Sequence, residues 1–275
     1  MHPDPDPQQS KRPFGPMDKG YRSHPVFATL SKYADFYESL SLSVLGFVTL
    51  GTKAICNIDS YLYSSVEGTI ASINHALSQG RIGDSYALLR RYHDSAVINV
   101  YTNLYLQDNF ALDNLIVAHI QGWLSGKDPI PEYRIMSKYI RQSARVAPIT
   151  KLLFAHSRYS DIRDRCNSFT HYNFFSNVLL NDGRIFNPNR MRQLDQFAED
   201  LDNLLVFHLG LIFYLNQHYM ASSDYIDCLD CGLPPPENSQ YFVAPFVQDI
   251  FDSVIKRRRP DIYSAIKSAT SMQLE

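Results

Sequence analysis

The stretch NRMRQLDQFAEDLDNLLVFHLGLIFYLNQHY, residues 189–219, decides the fold. Along it Met191, Leu194, Phe197, Leu201, Leu204, Phe207, Leu211 and Leu215 recur at three- and four-residue steps. A helix of 3.6 residues per turn brings those positions onto one side. At 1.5 Å per residue it is roughly 45 Å long, enough to be the spine of a bundle. Upstream, Leu62, Val66, Ile70, Ile73 and Leu77 step by 4, 4, 3 and 4. Gly80 then stands where a helix would stop, and Asp84 can cap the next one, which carries Leu89, Tyr92, Ala96, Val100 and Leu104. Pro131 and Pro148 mark shorter helices at about 132–144 and 149–157. Another should begin near Tyr159 and turn Ile162, Cys166 and Phe169 inward. After the break at Gly232–Pro236, residues 243–255 and 261–268 read as two terminal helices.

Alternation at period two is scarce; the best strand candidate lies within Leu40–Leu50, and no βαβ rhythm or internal repeat is present. The expected architecture is therefore all-α: a helical bundle over residues 27–225, a Pro-rich tail over 1–26, and a C-terminal loop and helical extension over 226–275.

At 275 residues, 45% hydrophobic and 20% charged, the chain can build a sizeable core and is not a disordered polymer. Four cysteines are too few for a disulfide scaffold. The opening residues carry six prolines by position 25 and no apolar run, unlike a secretory signal. The longest uncharged runs, Ser39–Thr52 and Leu204–Leu215, fall short of the roughly 20 apolar residues that a membrane span needs. The expectation is a cytoplasmic protein with no membrane partner.

Net charge is −2, so contact with nucleic acid needs a local patch. Eight basic residues lie between Glu132 and Arg165 against three acids, whereas Gln193–Ile255 has ten acids and no Lys or Arg. Arg134, Lys138, Arg141 and Arg145 step by 4, 3 and 4, a basic ridge on one helix face. That ridge is either a solvated face meeting the acidic half through ion pairs or a surface for a polyanion.

The segment Arg163-Asp164-Arg165-Cys166-Asn167-Ser168-Phe169-Thr170-His171 holds the best candidate chemistry. An imidazole can take a proton from a ribose 2′-hydroxyl near neutral pH. A guanidinium can hold the phosphate and neutralise charge developing in the transition state. On one helix Arg165 and His171 lie about 120° apart, so a joint site needs the helix to end near Thr170 or a second chain to close it. Asn167 and His171 share a face. In the alternative, Arg165 pairs with Asp161 and His171 caps the helix C-terminus. Arg90, Arg91, His93 and Asp94 form a second polar cluster, either structural or lining the same cleft. Cys228-x2-Cys231 is a lone pair; a structural zinc needs four ligands, so no metal and no cofactor is expected.

Two stretches resemble HEPN-family proteins, the helical superfamily of RNases and their inactive relatives. One is Leu88–Tyr101, similar to the early helix of members from phage-defence and abortive-infection contexts; the other is Arg165–His171, which fits the family's Arg-x4–6-His motif. Asp224–Asp227 and Val243–Phe246 also look like a group of bacterial proteins of similar length. The resemblance implies a homodimeric, metal-independent endoribonuclease acting as a toxin or defence effector, open to an inhibitory or activating protein partner. Arg165, Asn167 and His171 would be catalytic; Arg163, Arg91, His93, Arg141 and Arg145 would bind RNA. The commoner family pattern puts the polar residue directly after the arginine, where Cys166 stands here. The alternative is a non-catalytic HEPN-like module that binds RNA or protein.

Overall fold

The computed structural model describes residues 19–47, 51–52, 57–184 and 187–275. Those residues form helices α1 (Lys19–Arg22), α2 (Val26–Leu45), α3 (Ile58–Ser78), α4 (Ile82–Asn109), α5 (Ala118–Leu124) and α6 (Tyr133–Gln142). They continue with α7 (Ala147–Leu153), α8 (Arg158–Thr170), α9 (Phe175–Leu180), α10 (Arg190–Leu215), α11 (Asp224–Asp230), α12 (Pro245–Ile250) and α13 (Pro260–Ala269). No strand occurs among the described residues, only two isolated bridges. Nor is any described helix long and apolar enough to cross a membrane.

α10 is the spine. Its first half is amphipathic, but every residue from Asn203 to Phe213 is buried. A helix apolar on all sides must be surrounded, and α2, α4, α7, α8 and α13 pack around this one. Gly210 lets α13 come close: a Cβ there would stand 3.2 Å from Ile262 Cγ2. α3 ends as its sequence demands. Gly80 takes φ +74°, its amide bonds the Leu77 carbonyl, and the Arg81 amide reaches the Ala76 carbonyl at 3.0 Å.

Three expectations are corrected. Leu40–Leu45 belongs to α2, because Leu40, Ser41 and Val44 turn inward at helical spacing while Leu42 and Leu45 face out; residues 48–50 lie outside the described set. Ser41 and Ser60 each donate to the other's carbonyl at 2.9 Å, which ties α2 to α3. Residues 19–26, placed in the tail by their prolines, are packed: Tyr21 is buried and its hydroxyl donates to the Leu77 carbonyl at 2.7 Å. Residues 1–18 lie outside the described set. The stretch read as an extension returns to the same core, which Val247, Phe251, Ile255, Ile262, Ile266 and Leu274 all enter. There α12 runs on through a π turn at Phe251–Ile255 into Lys256–Arg258.

The core also encloses a polar chain. Asp59 Oδ1 accepts from the amides of Asn99 and Asn103, each at 2.7 Å, and Tyr219 donates to Oδ2. Asn99 therefore offers its oxygen to His208 Nε2 at 2.9 Å, so that nitrogen carries the proton. His208 Nδ1 is then the acceptor for Tyr37 at 2.7 Å, and Tyr37 in turn accepts from Tyr92 at 2.8 Å.

Candidate functional site

α4 and α8, which carry the two stretches singled out above, pack against each other. Arg90 on α4 donates to Asn167 Oδ1 on α8 and lies 3.8 Å from Asp94. Arg163 on α8 pairs with the same Asp94 and lays its guanidinium over the Tyr133 ring, 3.3 Å from the centroid. This is a cross-linked polar seam between two helices.

Arg165 does not pair with Asp161. Its Nε and Nη2 meet the two oxygens of Asp200 on α10 at 2.7 and 2.9 Å, a bidentate pair. The Asp200 side chain is 2% exposed and that of Arg165 31%. Gln196 adds a bond to Asp200 at 3.2 Å and Tyr86 one at 3.4 Å. Burial pushes the Asp200 carboxyl up, and Arg165 pulls against it. Asp161 instead accepts from the Ser157 hydroxyl at 2.7 Å.

α8 ends at Thr170, as a joint site required, and His171 occupies its C-cap. The imidazole is exposed, and among the described residues it has no hydrogen-bond partner. The closing turn is strained. Tyr172 adopts φ +48°, a place where glycine is usual and a side chain costs on the order of 1 kcal/mol. The Asn173 amide returns to the Ser168 carbonyl, and the Asn181 amide holds the Tyr172 hydroxyl at 3.0 Å. Asn181 is itself fixed by Asp84 through two bonds of 3.0 Å. Just beyond, Phe174 and Phe175 are 65% and 74% exposed, and Tyr172 and Val178 are exposed too. Tyr172 and Val178 border a hollow of about 870 Å3 that His75, Arg81 and Arg184 also line.

No protein-family model, no curated protein and no solved structure matches this chain. The site must therefore be judged on its own geometry. Arg165 and Asn167 on α8 and His171 at its C-cap share no partner: Arg165 is bound to Asp200, Asn167 to Arg90, and among the described residues the His171 imidazole has none. Arg91 is exposed, and Arg141 lies 5.6 Å from the Phe154 ring centre. Arg145 leaves the ridge, because α6 ends at Gln142; its Nε meets Asp108 at 2.7 Å and its Nη2 the Gln107 carbonyl. His93 is a correction. It is sealed in the core between Tyr133 and Phe207, with neither ring nitrogen bonded, and cannot touch RNA there. Burial first, then Arg163 and Arg90, push its pKa down to about 3.

Sequence reasoning missed Asp200 and Tyr133, and it grouped Asp94 with Arg90 without foreseeing that Asp94 also pairs with Arg163. Asp200 lies 35 positions from Arg165, and only the acidic character of its stretch hinted at a cationic partner. Among the described residues no group of three His, Cys, Asp or Glu could hold a metal ion, and Cys228 and Cys231 are free thiols.

Proposed function

We propose that this chain is a non-cleaving HEPN-like module that binds single-stranded RNA in the cytoplasm on the face around His171. The observation that carries the reading is the Arg165–Asp200 pair. A guanidinium held through two nitrogens by a sealed carboxylate forms a neutral unit, and releasing it would strand a buried charge at a cost of about 3–5 kcal/mol. It does not stand ready to stabilise a phosphorane. RNA is favoured by the aromatics after the helix end. Exposed Phe174, Phe175 and Tyr172 offer faces on which unpaired bases stack, and Arg81 and Arg184 nearby suit the backbone. The two stretches that resemble the family are joined by the Arg90–Asn167 bond.

Fluorescence anisotropy with a labelled single-stranded oligoribonucleotide tests this. Affinity should fall steeply between about 50 and 200 mM salt. Phe174→Ala with Phe175→Ala should weaken binding roughly tenfold or more. The oligonucleotide should remain intact with wild-type protein and with His171→Ala alike. Cleavage by the wild type that His171→Ala abolishes would overturn the reading in favour of a second one, a homodimeric metal-independent endoribonuclease. Two observations favour that second reading: His171 projects past the end of α8, and Arg165 Nη1 takes no part in the Asp200 pair.

A further inference from the structure

Cys228 and Cys231 stand at the C-terminal end of α11, the first inside its last turn and the second at its C-cap. The Leu233 amide returns to the Cys228 carbonyl at 2.8 Å, and the Gly232 amide to the Leu229 carbonyl at 3.0 Å. These are the two bonds that close a helix C-terminus, and they hold the backbone between the two cysteines in its helical path. Cys231 itself keeps helical dihedrals, with φ −82° and ψ −1°. Residues three apart on a helix have Cα atoms about 5 Å from each other, inside the span of roughly 4.4–6.8 Å that a disulfide bridges. Two cysteines are too few to hold zinc, but they are enough for a reaction that needs only two sulfurs. Both are within reach of solvent. α11 buries none of its residues; Cys228 is half-buried and Cys231 exposed. Cys166 is the internal contrast. It is sealed in the core, where burial pushes its thiol up to about 12, so at neutral pH it holds almost no reactive thiolate.

We propose that Cys228 and Cys231 are a site of reversible oxidation, which hydrogen peroxide converts to an intramolecular disulfide. The Cys231 thiolate attacks one peroxide oxygen. An S–O bond forms, the O–O bond breaks, and the hydroxide released leaves as water with the proton that the thiol gave up. The Cys228 sulfur then displaces the oxygen of that sulfenic acid. The S–S bond forms, the S–O bond breaks, and the oxygen leaves as a second water with the Cys228 proton. The two sulfurs give up two electrons between them, and the peroxide takes both. The charge of the surroundings selects the oxidant. α11 carries Asp224, Asp227 and Asp230, and no Lys or Arg occurs from Gln193 to Ile255. An uncharged peroxide escapes the repulsion that an anionic disulfide such as oxidised glutathione meets there. The product ties the last turn of a seven-residue helix, too short to be stable by itself, and leaves the core untouched. The site shares no residue with the proposed RNA face and does not depend on that reading.

Trypsin isolates the pair. It cuts after Arg192 and after Lys256 and finds no Lys or Arg between, so one fragment holds Cys228 and Cys231 and no other cysteine. The full chain is treated with dilute hydrogen peroxide, capped with N-ethylmaleimide, digested and weighed by mass spectrometry. The fragment should lose the mass of two hydrogen atoms and take up no maleimide, and dithiothreitol should reverse both changes. Oxidised glutathione at the same concentration should act at least several-fold more slowly. In Cys228→Ser, which leaves the core intact because α11 buries nothing, Cys231 has no neighbour to resolve it, and dimedone should label it as a sulfenic acid. The proposal is overturned by a fragment that still caps both thiols after peroxide, that gains oxygen rather than losing hydrogen, or that is linked to a second fragment. It is overturned equally by oxidised glutathione matching the rate of peroxide, or by a Cys228→Ser chain that dimedone does not label.

Discussion

His208 and His93 are both sealed in the core, and burial brings the pKa of each down to about 3. Their surroundings differ completely. His208 is bonded at both nitrogens, inside a chain that runs from Tyr92 to Asp59 with every proton direction set by the carboxylate at its end. His93 packs between Tyr133 and Phe207 and bonds with neither ring nitrogen. The same residue type thus marks two kinds of interior: a closed polar network joining α2, α3, α4 and α10, and an unbonded ring packed between Tyr133 and Phe207. A closed network specifies a packing arrangement, whereas an unpaired buried imidazole gives up its hydrogen bonds without gaining any in return.

The comparison breaks most severely at Asp59. Asp59→Ala would strand two amide donors and the Tyr219 hydroxyl in the core, and should cost about 3 kcal/mol or more in chemical denaturation. A loss under about 1 kcal/mol would mean that the network is not holding the core together. Paired substitutions sharpen the contrast between the two histidines. His208→Phe keeps a ring against Tyr37 but removes both hydrogen bonds, and should cost about 2 kcal/mol. His93→Phe removes no bond and relieves an unpaired buried imidazole, so the change should lie within about 1 kcal/mol of zero, on either side. Equal losses in the two variants would erase the distinction.

Acid offers the most general probe. Each histidine titrates ordinarily near 6.5 and here near 3. Between those values the unfolded chain takes up protons that the folded chain refuses. The contribution of both rings to stability is therefore complete above pH 6.5 and is lost progressively as the pH falls toward 3. Urea midpoints measured from pH 7 to pH 4 should fall, and fall less steeply in His93→Phe than in the wild type. Parallel pH profiles for the two proteins would contradict the depressed pKa of His93.

Much of this molecule was legible from spacing. The stripes Val66–Leu77 and Leu89–Leu104 are buried where their period places them, and α10 is the spine that its apolar residues require. Short helices such as α5 and α9 were not legible, since seven or six residues hold too few turns to establish a period. His93 was misjudged because Arg90, Arg91 and Asp94 made its neighbourhood look polar. The signal was nonetheless there: it lies four residues after Leu89 and three before Ala96, on the buried stripe. The candidate site was less legible than the fold. Local spacing predicts partners three or four residues away, whereas Asp200 reaches Arg165 from another helix through the packing of α8 on α10. Nothing in the order of residues 165–171 reveals that the guanidinium turns inward while the imidazole turns out.

The π turn at Phe251–Ile255 has a consequence for how this chain tolerates change in length. A π turn holds one residue more than the regular helix would need for the same rotation. Deleting a single residue within it would restore i→i+4 bonding while leaving the faces on either side, Val247 before and Pro260 after, pointing where they do now. Elsewhere along the tightly enclosed helices the same deletion would swing every later side chain by about 100° and pull the core out of register.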